Sequence, residues 1–233
     1  MKLKTLFCAL PFAAAASVSA QTIDVTVTNL THGLHFTPLY VNAHGSDDHL
    51  FQVGQEASAA IQAMAEGGSI TDLATGKPEN SVDVSNPADG LMGPTSSVTV
   101  TDFETGDNGN LSIVAMILPT NDGFIGLDGW EIPEEAGTYT VYLNAYDAGT
   151  EANDEIINGA GTPGAAGIPV APGGDGGEGA TGVTGELTED SNTMIHIHRG
   201  NVGDTDSMGG ISDVDSRIHR WLNPVAKVVV TVK

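Results

Sequence analysis

Six stretches carry the pattern of β-strands, with polar positions set among β-branched, aliphatic or aromatic ones. They are IDVTVTNL at 23 to 30, SSVTVTDF at 96 to 103, LSIVAMIL at 111 to 118, TYTVYLNAY at 138 to 146, TMIHIH at 193 to 198 and AKVVVTVK at 226 to 233. A period of two turns alternate side chains to opposite faces, so each stretch can set one face against a core. The helical period shows best in QEASAAIQAMAEGG, where Ile61, Met64 and Ala65 fall at i, i+3 and i+4 and Gly67 is a natural stop. Weaker helical turns are read at SITDLAT and SRIHRWL. Strands separated by turn-rich stretches, with one short inserted helix, predict an all-β, antiparallel β-sandwich.

Two segments fall outside that pattern. Residues 1 to 20, MKLKTLFCALPFAAAASVSA, combine two lysines, an apolar stretch and a small-residue end, which predicts a cleaved signal peptide and one domain over residues 21 to 233. From about 151 to 190 the chain turns acidic and glycine-rich, with eleven glycines between Gly159 and Gly185 and no three-residue period. That composition predicts a flexible loop and excludes collagen.

Composition narrows the function classes. The only cysteine, Cys8, lies inside the predicted signal, so the exported chain is expected to carry no disulfide. No later run reaches the ~18 apolar residues of a membrane span, so the expected location is the periplasm or the extracellular space. Losing Lys2 and Lys4 with the signal takes the formal charge from −22 to −24. Such a surface repels nucleic acid and anionic lipid and favours divalent cations, and it also suits solubility in salty surroundings. No G-x-S-x-G elbow, H-E-x-x-H pair or P-loop spacing is present, so a non-enzyme is expected.

Two strand ends carry the candidate chemistry. LSIVAMIL runs into Asn121, Asp122 and Gly123, while TYTVYLNAY runs into Asp147 and, in DAGTE, Glu151. Alone, Asn-Asp-Gly is a turn former. With FIGLDGWEIP returning between the two strands, however, both acidic turns fall at one end of the sheet. Asp122, Asp147 and Glu151 then suit Ca²⁺, which takes six to eight oxygens from carboxylates, carbonyls and water. Neither stretch fits the EF-hand pattern. GDTDSMGGISDVDSR adds Asp204, Asp206, Asp213 and Asp215, read as a solvated loop or as donors to an ion.

The same residues resemble a known family. ILPTNDGFIG is similar to the spondin-domain stretch in which a strand enters S-P-D-W-F-V-G, and DAGTE resembles that family's D-A-G-T-D. VTNLTHGLHFTPLYVNAH, followed by LFQVGQEASAAIQAMAEGG, is similar to the opening of bacterial spondin-type proteins. The likeness covers most of residues 22 to 157 and resumes near 193. It implies a C2-like β-sandwich with calcium held by loops at one end, and a role in adhesion or recognition toward an extracellular or envelope protein or glycan. Asp122 takes the place of the SPDW aspartate, and Asp147 and Glu151 take those of the two DAGTD aspartates. Asn121 and Gly123 stand where the motif has Pro and Trp, and Glu151 is one methylene longer than Asp.

A rival constellation comes from the histidines. His196 and His198 are placed on one strand face by the period of two, with Ile195 and Ile197 toward the core. Joined by His32, His35, His44 or His49, the pair would bind copper or zinc through neutral imidazoles; unjoined, it is a polar stripe. Trp130, Trp221, Tyr142 and Tyr146 read as core packing or as a sugar platform.

Overall fold

A computed structural model describes residues 20–170, 172–173, 176–184 and 192–233. The expected signal peptide, apart from Ala20, and residues 185–191 of the glycine-rich stretch lie outside the described residues.

In chain order the elements are β1 (Thr22–Asn29), β2 (His35–Phe36), β3 (Tyr40–His44), α1 (Ala59–Gly67), α2 (Thr71–Thr75), β4 (Val82–Ser85), β5 (Ser97–Glu104), β6 (Asn110–Leu118), β7 (Gly123–Glu131), β8 (Gly137–Asp147), β9 (His196–Ile197) and β10 (Ala226–Val232). Every strand pairing is antiparallel, along the path β4-β3-β6-β7-β8-β10-β1-β5. The molecule is therefore mostly antiparallel β, as the alternation predicts, with two helices where one was expected. SITDLAT forms α2, whereas SRIHRWL forms a turn in which Ile218 and His219 donate to the Asp215 carbonyl.

β8 bends the sheet around its core. Its residues 137 to 143 pair with β10, and residues 144 to 147 pair with β7 and, at the end, with β9. One strand thus belongs to two hydrogen-bonded runs, and the path curls toward a barrel around a shared core. Ile23, Val25 and Val27 of β1 meet Val228 and Val230 of β10, with Leu111, Ile113 and Ala115 of β6 in the same cluster.

β6 is buried on both faces, which explains its continuous apolar run. Its other face carries Val114 and Met116 against Ile61, Met64, Phe51 and Phe124. Helix α1 lies on that face. Ser58 caps it, accepting from the Ile61 N–H at 3.2 Å, and Gly68 ends it in the left-handed region at φ 70°.

The strand expected at 193 to 198 shortens to two residues. Ile195 leaves the ladder, accepting from the Gly54 N–H and donating to the Gln55 carbonyl. Ile195 is buried but Ile197 is 48% exposed, which corrects the placement of both isoleucines in the core.

Candidate metal centre

The pairing of β7 with β8 sets Gly123 opposite Asp147, and the Ala148 N–H donates to the Asp122 carbonyl at 3.2 Å. Asp122 and Asp147 therefore sit side by side at one end of adjacent strands. Glu151 follows four residues on, and its N–H reaches Asp122 Oδ2 at 3.4 Å. Thr150 donates to that oxygen through its N–H at 2.9 Å and through its hydroxyl at 3.3 Å. The turn carrying Asp122 is thus also a holder, with its carboxylate clasping the β8 turn.

The neighbouring amides fix this end. Asn121, fully buried, donates to Asp154 Oδ1 at 2.8 Å and accepts from the Glu155 N–H at 3.1 Å. Asp147 accepts from the Gly149 N–H at 2.9 Å and from Asn153 Nδ2 at 2.8 Å. On α1, buried Glu66 accepts from Gln62 at 2.8 Å and from the Gly164 N–H at 2.6 Å, tying the glycine-rich stretch to the helix. Sequence reasoning missed Glu66, Asn121 and Asn153 as parts of this end. The one signal the sequence holds for them is the one-turn spacing of Gln62 and Glu66.

Three oxygens are left over. Asp122 Oδ1 and both carboxylate oxygens of Glu151 are buried without a hydrogen bond. No lysine or arginine pairs with Asp122, Asp147 or Glu151 among the described residues. A buried carboxylate with no cation beside it and with oxygens left unmet holds its proton more tightly. Burial first, and the Asp147 charge second, push Asp122 up to about 7. Burial, followed by the charges of Asp122 and Glu66, pushes Glu151 up to about 9, with nearby Asn121 opposing the rise. A hard cation would meet the same need as those protons, so the donor set fits calcium chemically. Among the described residues, no group of three or more His, Cys, Asp or Glu side chains is arranged to hold a metal ion.

The histidines are dispersed. His196 is half-buried, with Nδ1 2.8 Å from the Met194 carbonyl and Nε2 3.7 Å from Asp147 Oδ2. His198 is buried, its Nδ1 accepts from the Gly200 N–H at 2.9 Å, and its ring lies 4.9 Å from that of Trp221. His44 bridges the Gly45 carbonyl and Ser112, while His49 pairs with Asp128. His35 and His219 line a separate cavity.

The aspartates of the 204 to 215 loop are engaged locally. Asp204 accepts from the N–H groups of Asp206, Ile211 and Ser212. Asp213 accepts from those of Ile157, Glu178 and Ala180, and Asp215 holds Arg217 in a fork. Beside them Glu155, buried and at φ 58°, accepts from Val202, Gly203 and Ser212 at 2.6 to 2.8 Å.

A model of one protein family, Spondin_N, matches residues 27–156, more than half of the chain and a span that includes Asp122, Asp147 and Glu151. No curated protein matches the chain. No helix among the described residues is long and apolar enough to cross a membrane.

Proposed function

The chain belongs to the Spondin_N family, and from that premise we propose that it is an exported adhesion or recognition module, built on a C2-like β-sandwich, that binds calcium at its acidic end. Its place is the periplasm or the extracellular space, and its partner an extracellular or envelope protein or glycan. It is a binding protein rather than an enzyme.

The observation that carries the calcium reading is the set of unpartnered oxygens on Asp122 and Glu151. Ionised carboxylates buried without donors are costly, and a site that gathers them away from lysine and arginine gains from a divalent cation. Asp122 and Glu151 would supply ligand oxygens. Asp147 would act beside them, held by Gly149 and Asn153. Carbonyls and water would complete the six to eight oxygens that calcium takes. Calcium would supply fixed positive charge there, while this chain's amides orient the carboxylates.

The copper or zinc alternative at His196 and His198 draws no support from the arrangement of the rings, since His198 Nδ1 is already an acceptor. The experiment is metal analysis of protein purified without an affinity tag, followed by calorimetry with Ca²⁺, Cu²⁺ and Zn²⁺. Calcium binding lost in the Asp122→Ala, Asp147→Ala double variant supports the reading. Copper retained after dialysis with no calcium response overturns it.

A further inference from the structure

A second feature lies where β7 and β8 part. The two strands pair only as far as Gly126 and Asn144, after which β7 stays with β6 and β8 crosses to β10. At that fork the surface opens into a groove of about 360 Å³, bordered by the segment 49 to 53 on one side and the outward face of β8 on the other. Gly126 makes room for it to be aromatic, since a Cβ there would stand 2.4 Å from the Phe51 ring.

The outward face of β8 presents Tyr142, Asn144 and Tyr146 at alternate positions, all on one side by the strand period. Tyr146 packs on Phe51 with ring centroids 5.1 Å apart, and Tyr142 is 59% exposed. Polar groups ring these aromatics. The amides of Gln52 and Asn144 and the Tyr142 hydroxyl line or border the groove and make no side-chain hydrogen bond to another described residue. His49 Nδ1 lies 2.6 Å from Asp128 Oδ2, which leaves Nε2 to meet a ligand hydroxyl in either hydrogen-bond direction. Asp128 Oδ1 takes the Leu50 N–H at 2.7 Å and the Phe51 N–H at 3.3 Å.

In a chain this acidic the groove is electrically quiet. His49 and Asp128 in its lining are paired with each other, and among the described residues no lysine, arginine or glutamate lines it. An anionic ligand would find no cation there, and an amine would find no open carboxylate. Aromatic surface beside outward amides, a hydroxyl and an imidazole nitrogen matches a ligand with an apolar C–H face and many neutral hydroxyls. We propose that this groove binds a neutral saccharide chain, with Tyr142 as the exposed stacking residue and Asn144, Gln52 and His49 contacting hydroxyls. This names a partner class that the calcium reading leaves open, and it does not depend on that reading.

The test is calorimetry of the full exported chain with the hexasaccharides of β-1,4-glucose, β-1,4-N-acetylglucosamine, β-1,4-xylose and β-1,4-mannose. Oligogalacturonate serves as the anionic probe, and each titration is run in calcium and in EDTA. The expected result is binding of at least one neutral hexasaccharide, weakened at least tenfold by Tyr142→Ala and little changed by Tyr142→Phe, with circular dichroism showing both variants folded. Binding that persists in EDTA while the calcium response is absent would sink the calcium reading and leave this one standing. The proposal is overturned if none of the four neutral probes binds, if only oligogalacturonate binds, if Tyr142→Ala binds as well as the parent, or if a displayed peptide library yields a Tyr142-dependent ligand while the neutral probes fail.

Discussion

Two acidic regions of this molecule use the same side chains in opposite ways. At the strand ends, Asp122 and Glu151 keep buried oxygens without donors, and burial raises both carboxyls far above their ordinary range. In the 204 to 215 loop, Asp204 collects backbone N–H groups and Asp215 grips Arg217, so Asp204 is lowered and Asp215 falls to about 2. A carboxylate surrounded by donors has done its work by shaping a loop. One buried without them lacks a partner, and that difference, invisible in the count of acids, separates a candidate ion site from a solvated turn.

The largest contrast expected between the two regions is the response to calcium. Binding only to the native state would stabilise it by about 2.7 kcal/mol at a hundredfold excess over Kd, which is roughly 5–10 °C in Tm for a domain of this size. Asp122→Ala with Asp147→Ala should abolish that shift, and Asp204→Ala should leave it whole, as read by thermal unfolding in calcium and in chelator. Loss of the shift in Asp204→Ala would erase the distinction.

Next in size is the cost of removing a carboxylate that has its donors. Glu155→Ala takes the acceptor from the Val202 and Gly203 N–H groups and leaves the Ser212 hydroxyl only its longer contact to the Val214 carbonyl, and a buried group left unmet costs about 1–3 kcal/mol. Glu151→Gln in metal-free protein removes a buried charge whose oxygens have no donors. Urea unfolding at pH 9 should therefore show Glu155→Ala well below the parent and Glu151→Gln at or above it.

The pH dependence should divide the same way. Raised carboxyls bind more protons in the native state than in the unfolded one, so the contribution of Asp122 and Glu151 is fullest below their unfolded values. It declines as pH rises through about 7 and then about 9 in metal-free protein. Lowered carboxyls act in the other direction. Asp204 and Asp215 contribute above their ordinary range and lose that contribution as pH falls toward about 2. Both residues are partly open to solvent, so the acid effect should be slight. Metal-free stability that rises steadily from pH 6 to 9 would contradict the account of the strand-end site. The smallest effect belongs to the histidines: His196→Ala with His198→Ala should leave the calcium shift in place.

β1, β8 and β10 were legible because they alternate, β5 because it alternates up to the irregularity at Asp102, and β6 because its unbroken apolar run is covered on both faces, whereas the short strands β2, β3 and β4 carry too few alternations to be read. The brevity of β9 was not, since the bonds of Ile195 to Gly54 and Gln55 are set by tertiary contact. Asp122, Asp147 and Glu151 could be brought to one end by following strand directions alone. Glu66, Asn121 and Asn153 could not, because each acts on residues far away in the chain or in an irregular turn, where no period points. The sequence also left Tyr142 and Tyr146 between core and platform. Tertiary packing parts them: Gly126 leaves the space that the Phe51 ring fills, Tyr146 packs on that ring against the core, and Tyr142 stays exposed.

The most direct measurement is calcium titration at pH 7.5 by calorimetry in two buffers of different ionisation enthalpy, using tag-free, metal-stripped protein. Because Glu151 holds its proton at that pH in the metal-free state, stoichiometric calcium uptake should release about one proton per ion. Calcium that fails to bind, or binds with no proton released, would contradict the assignment of these carboxylates.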